Sequence, residues 1–326
     1  MRWGGSEQEK KMVEVADKYP SRAGRAACLE PRLDPVVYAP DALCQSTHLS
    51  SEQVAQYERE GYLILHDVFS GAEIQCFKDE LERLRKDASL GGNDEVIAEP
   101  GSGDIRSIFR VHSISPVFKR LASDVRLAGI AQGLLDDDVY IHQSRLNCKP
   151  GFRGKEFYWH SDFETWHVED GMPAMRALSM SITLTENTQH NGPLMLMPSS
   201  HKSYAVCTGE TPANHFKASL KKQEYGVPED DLLAQLAGRN GIVSAVAKPG
   251  SVIIFDCNTM HGSNSNITPD PRSNVFFVYN AISNRVVQPF CDQSPRPEYI
   301  ATREHVETIK PQSSDPESYR GELQSA

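Results

Sequence analysis

Val139-Tyr-Ile-His-Gln-Ser-Arg-Leu-Asn147 and Ala177-Leu-Ser-Met-Ser-Ile-Thr-Leu-Thr185 change character at every second residue, which is the period of a β-strand. With Cys148 and Lys149 added, the odd positions of the first run are Val139, Ile141, Gln143, Arg145, Asn147 and Lys149, the last four polar. In the second run Ser179, Ser181, Thr183 and Thr185 lie opposite Leu178, Met180, Ile182 and Leu184. A solvated sheet face would explain either strand alone. Two such faces side by side predict a polar cavity within a sandwich.

Further runs of the same kind are Leu194-Met-Leu-Met197, Ile242–Ala247, Ser251–Asp256 and Asn274–Ala281, bounded by Gly, Pro or Asn. Short strands at uneven spacing predict a mainly β fold with flanking helices, whose jelly-roll core runs over 139–285. Upstream, 51–135 reads as a helical part. Thr47 or Ser50 caps a helix over 51–60, the apolar stretch Tyr62-Leu-Ile-Leu65 follows, and a second helix after Ser70 sets Ile74, Phe77, Leu81 and Leu84 at helical spacing. Segment 88–104 reads as a loop, and 116–135 as helical with Val117, Leu121, Ile130 and Leu134 buried. A helical insertion is expected over 202–240, carrying Leu220-Lys-Lys-Gln-Glu and Asp230-Asp-Leu-Leu-Ala-Gln-Leu. Residues 51–310 form a single domain on this reading, 1–50 a partly extended arm, and 311–326 a frayed polar tail.

The 326 residues carry a net charge of −10 with no long basic run, so nucleic acid and anionic membrane are excluded as expected partners. The N-terminus has no apolar export core, and stretches such as Val252–Phe255 fall far below the roughly 18 residues of a membrane span. Seven scattered cysteines without a Cys-x-x-Cys pair fit a reducing cytoplasm, with neither a disulfide framework nor a zinc ribbon.

Three histidines precede an acid by two residues: His160-Ser-Asp162, His167-Val-Glu169 and His305-Val-Glu307. Each would pass for an ordinary surface pair, but His160 lies in the aromatic segment Phe157-Tyr-Trp-His-Ser-Asp-Phe-Glu-Thr-Trp-His167, whereas His305 falls in a charged C-terminal stretch read as an exposed helix. A third ligand is available in His261, which follows strand Ser251–Asp256 after a short turn. Two histidines and a carboxylate make the facial triad of Fe(II) oxygenases, with coordination positions left open. A zinc hydrolase on a cupin-like barrel could use the same three. Arg272, at the start of the next strand, decides between them. 2-Oxoglutarate chelates iron at one end and needs a buried cation at the other, and a planar guanidinium offers two parallel hydrogen bonds. The plain alternative is an arginine paired with Asp270.

Together these residues resemble the iron(II)/2-oxoglutarate-dependent dioxygenases. Phe157–Pro173 is similar to the signature of the ectoine hydroxylases in the phytanoyl-CoA-hydroxylase-like group, with further likeness in His142-Gln-Ser-Arg145, Lys149–Lys155, Asn191–Met197, Ser219–Glu224 and Asp256–Asn266. The resemblance spans roughly residues 19–310. It implies a double-stranded β-helix, a cytoplasmic homodimer, and O2-dependent hydroxylation of the osmolyte ectoine with release of succinate and CO2. It also implies iron ligands His160, Asp162 and His261 and 2-oxoglutarate contacts Lys149 and Arg272, to which Asn147 on the same strand face is added. Gln143 and Trp166 become substrate contacts, with Arg145, Thr165 and Ser181 as further candidates. Cys148 and Ser199 depart from the expected pattern. A hydroxylase of a free cyclic amino acid such as proline is the competing reading.

Overall fold

The alternating runs pair as strands, and the structure, a computed structural model describing residues 15–39, 49–90, 92–99, 103–214, 216–219 and 224–325, builds them into two facing antiparallel sheets. In chain order the strands are β1 (Cys28–Pro31), β2 (Tyr62–Leu65), β3 (Val96–Ala98), β4 (Ile105–Phe109), β5 (Val139–Lys149), β6 (Phe157–His160), β7 (Ala177–Thr183), β8 (Leu194–Leu196), β9 (Ser203–Val206), β10 (Val243–Ser244), β11 (Val252–Asp256), β12 (His261–Ser263) and β13 (Arg272–Ala281). The larger sheet runs β2-β11-β7-β13-β5-β4-β3 and the smaller β10-β8-β12-β6, while β1 and β9 form a separate pair.

Apolar periodicity places the helices on the outer face of the larger sheet. Helices α1 (Ser51–Glu60) and α2 (Gly71–Lys86) each begin with a capping box, at Ser50 and Ser70. These boxes satisfy N–H groups that the first turn leaves without partners. Ile74, Phe77, Leu81 and Leu84 pack with Val117, Leu121, Ile130 and Leu134 onto Leu178, Met180, Ile182 and Leu184. The other face of the sheet looks toward β8 and β12, and its apolar end is filled by Leu194, Leu196, Ile253, Phe255 and Phe276.

One bulge sets what β5 offers to that interior. Tyr279 pairs with Ile141 and Val278 with Gln143, so His142 is an extra residue on β5. Val139 and Ile141 join the helical core, as do Leu146 and Cys148. The odd positions therefore do not share a single face. Polar Gln143, Arg145, Asn147 and Lys149 point inward only because the bulge reverses the alternation behind them.

Several sequence expectations are corrected. The segment 51–135 is not purely helical, since β2, β3 and β4 complete the larger sheet from it, with β3 inside the expected loop 88–104. The insertion 202–240 begins with strand β9, whose partner is β1 of the N-terminal arm. The stretch 242–247 shortens to β10, with Ala247 in an isolated bridge to Asn187. His305 lies outside any helix. The tail is docked rather than frayed, with helix Pro316–Ser325 burying Tyr319 completely. The Tyr319 hydroxyl donates to Asp124 (2.7 Å) and its ring meets Phe77 edge-on at 4.8 Å. Cys44, Thr47 and Leu220–Gln223 lie outside the described residues, among which the cysteines are free.

Candidate metal centre and anion pocket

Antiparallel pairing of β12 with β6 sets His261 directly opposite His160. Ser161 then caps a helical turn, Asp162–Thr165, and so places Asp162 beside the two rings. The Nδ1 of His160 faces the Tyr158 carbonyl (2.8 Å) and that of His261 the Thr259 carbonyl (2.9 Å). Each Nδ1 therefore carries the proton, leaving each Nε2 lone pair free for a metal. The two Nε2 atoms stand 3.8 and 3.9 Å from the same oxygen, Asp162 Oδ1. Ser179 donates to the other oxygen, Oδ2, at 3.1 Å. Burial, reinforced by His261, pulls His160 down to about 3, so it is neutral as a ligand must be.

These three side chains are the metal-binding group found among the described residues, their donor atoms lying within 4.8 Å of one another. Two imidazole nitrogens and one carboxylate oxygen, held by backbone carbonyls and a serine, fit Fe(II) with open positions. The rival His167 is engaged elsewhere, with Nδ1 on the Met172 carbonyl and Nε2 on Asp17. Glu169 is ion-paired with Arg22, and His305 is an exposed neighbour of Glu298.

A cavity opens beside the triad, walled by Arg145, Asn147, Lys149, His160, His261 and Arg272. Arg272 is buried, yet no acid lies within ion-pair distance among the described residues; its Nη2 donates to Asn147 Oδ1 (3.0 Å) and its Nε has no partner. The expected alternative, a pair with Asp270, is not formed. Burial, with Arg106 acting in the same sense, lowers Arg272 to about 10. Lys149 donates to Ser263 Oγ (2.8 Å) and to the Asn264 carbonyl. Its amine is pushed down to about 6 by burial and then by Arg272 and Arg106. Arg145 sits over the Phe276 ring at 5.2 Å with its own Nε unmatched. Buried cations lacking counterions are costly, so this cavity is built for an anion.

The other candidates stand off this wall. Gln143 donates to the Ile300 carbonyl (2.9 Å), and Trp166 is packed among Phe163, Met172 and Val278 with His142 5.3 Å away. Thr165 Oγ1 and Ser181 Oγ are buried without partners. Sequence reasoning missed Arg106, which lines the cavity and pairs with Glu99 (3.2 Å), because β4 carried no assigned pattern. It counted Ser179 in a polar face without seeing its partner.

The family model for phytanoyl-CoA dioxygenase (PhyH) matches residues 57–274. The ectoine dioxygenase of Sphingopyxis alaskensis is 57% identical over 289 residues, covering 89% of this chain and 94% of the relative. Crystal structures of EctD from S. alaskensis, one with 2-oxoglutarate and 5-hydroxyectoine and one with bound Fe, superpose with TM-scores of 0.82 and 0.81 at 50% identity. In both cases 92% of this chain and 100% of the other are covered.

Proposed function

The chain belongs to the phytanoyl-CoA dioxygenase family, and from that premise we propose that it hydroxylates ectoine to 5-hydroxyectoine, using iron(II), 2-oxoglutarate and O2. The observation that carries the reading is Arg272: a buried guanidinium without a carboxylate, in one cavity with two histidines of the triad. Relatives named ectoine dioxygenase, and the EctD complex with 2-oxoglutarate and 5-hydroxyectoine, support the choice of substrate.

His160, Asp162 and His261 would hold the metal. Bound iron supplies oxygen activation, coupling decarboxylation of 2-oxoglutarate to succinate and CO2 with oxygen insertion into a C–H bond. The protein's part is orientation and exclusion of water. Arg272, steadied by Asn147, receives the far carboxylate of 2-oxoglutarate, and Lys149 supplies a second donor beside it. Arg145 meets the carboxylate of ectoine. The family resemblance assigns Trp166 to its amidinium and Gln143, Thr165 and Ser181 to polar contacts. We extend the proposal to a cytoplasmic homodimer. The absence of a helix long and apolar enough to cross a membrane among the described residues is compatible with that location, and sedimentation of the purified protein reads the oligomeric state.

Incubation with iron, 2-oxoglutarate and either ectoine or proline tests the reading. Ectoine should yield one succinate for each product one oxygen atom heavier. Tight coupling to proline and poor coupling to ectoine would overturn the substrate while retaining the cofactor assignment.

A further inference from the structure

The N-terminal arm drives two arginines into the back of the metal centre. Arg22 and Arg32 are almost wholly buried at the side chain, each facing a buried acid. Arg22 donates through Nε (2.9 Å) and Nη2 (2.5 Å) to the two oxygens of Glu164, and through Nη1 to Glu169 (2.6 Å). Ser21 adds a bond to Glu164 (2.7 Å). Glu164 lies two residues beyond Asp162, in the same helical turn. Arg32 donates to Asp256 Oδ1 (2.7 Å) and to the carbonyls of Asp34, Pro35 and Met175 at 2.8, 2.8 and 2.9 Å. Asp256 Oδ1 also accepts from the Asn258 amide (2.8 Å), and so shapes the turn leading to His261.

The two ligand-bearing segments are tied to each other as well. The Phe163 amide donates to the Cys257 carbonyl (2.8 Å), and Ser161 to Asn258 Oδ1 (3.2 Å). Between the arginines lies β1, fixed to β9 by its ladder. The arm thus grips the Asp162 turn at one point and the His261 turn at another.

We propose that Arg22 and Arg32 are positioning residues for the metal centre, holding the Asp162 and His261 segments at the separation iron requires. The proposal rests on the triad being an iron site, as read above. A bidentate guanidinium fixes the direction of a carboxylate as well as its charge. Small displacements of ligands propagate to metal affinity and to the placement of the reacting groups.

The test uses the full chain with Arg22→Met and Arg32→Met, the conservative Arg22→Lys and Arg32→Lys, and Arg126→Met as comparison. Arg126 is a part-buried arginine paired with Glu73 and Asp124 on the helical side. Measured are melting of the metal-free protein, anaerobic iron(II) affinity, the visible absorption of the iron–2-oxoglutarate complex, and the ratio of succinate to hydroxylated product. All methionine variants should melt earlier. Only the Arg22 and Arg32 variants should weaken iron binding, by about tenfold, with an altered absorption band and excess succinate. The lysine variants should fall between parent and methionine, and they carry the test where methionine prevents folding. If the Arg22 and Arg32 variants keep parental iron affinity, absorption and coupling, as Arg126→Met should, the arginines are merely structural and the proposal is overturned. A parent protein that binds iron but leaves ectoine unchanged would overturn the substrate reading alone, with the iron measurements still deciding on the arm.

Discussion

At the scale of the residue, Arg272 and Lys149 differ in kind although they share a wall. Replacing Arg272 by leucine removes a charge-assisted, water-excluded contact of roughly 1.5–3 kcal/mol. The 2-oxoglutarate requirement should therefore rise at least about tenfold, and the ectoine requirement far less. Steady-state kinetics with each substrate varied in turn separates this outcome from a folding defect, in which both would suffer equally. Lys149 predicts a pH effect. Burial and the neighbouring arginines push its amine down to about 6, which favours the neutral form above that pH, and an arriving dianion favours its protonated form. The complex then holds more protons than the free protein, and 2-oxoglutarate affinity should weaken as pH rises through and above 6, by up to about tenfold per unit. Calorimetry in buffers of different ionisation enthalpy should report proton uptake, and Lys149→Met should abolish it. The triad and Arg272 were readable as residues because metal and carboxylate chemistry restrict the usable types severely. Ser179 and Arg106 were not, because a serine on a polar face or an arginine in an unpatterned segment acquires its role only from what folding brings opposite.

Among elements, the C-terminal helix Pro316–Ser325 shows most plainly where local pattern runs out. Its sequence, Pro-Glu-Ser-Tyr-Arg-Gly-Glu-Leu-Gln-Ser, is polar almost throughout, and it is held chiefly by what one tyrosine reaches on α2 and near Asp124. Tyr319→Ala should cost about 3–5 kcal/mol by opening a cavity against Phe77. Tyr319→Phe should cost about 1–3 kcal/mol, since only the hydrogen bond to Asp124 is lost. Denaturant unfolding checks both, and the metal-site absorption should remain parental in each folded variant. Strand β9 escaped notice for a related reason: Ser203–Val206 becomes a strand by pairing with β1, a partner some 170 residues away that no local period announces. Strands β5, β7, β11 and β13 were legible because each has a face buried against a continuous core, and burial on one face writes alternation into sequence. Helices α1 and α2 were legible through their serine caps and apolar spacing.

For the molecule as a whole, the cavity proposed for the ligands lies between the two sheets, so occupancy should stabilise the entire fold. Iron and 2-oxoglutarate at a hundredfold excess over their dissociation constants would each add about 2.7 kcal/mol. Scanning calorimetry should show the melting temperature rising by several degrees with both present and returning on chelation; an unchanged transition would mean that the cavity does not bind them in the folded state. The bulge at His142 has a consequence of another sort, for how this chain can change over generations. It acts as a phase shift: upstream of it β5 is in register with the helical core on one parity of residue number, and downstream on the other. Deleting His142 would set Ile141 and Gln143 opposite Tyr279 and Val278 in unbroken alternation, with Arg145, Asn147 and Lys149 facing as they do, whereas keeping His142 but pairing it into the ladder would turn those three toward the apolar layer and Leu146 and Cys148 toward the cavity. Substitution can tune this pocket one position at a time, and loss of the His142 codon would spare its facing, whereas drawing His142 into the ladder would erase it at a stroke.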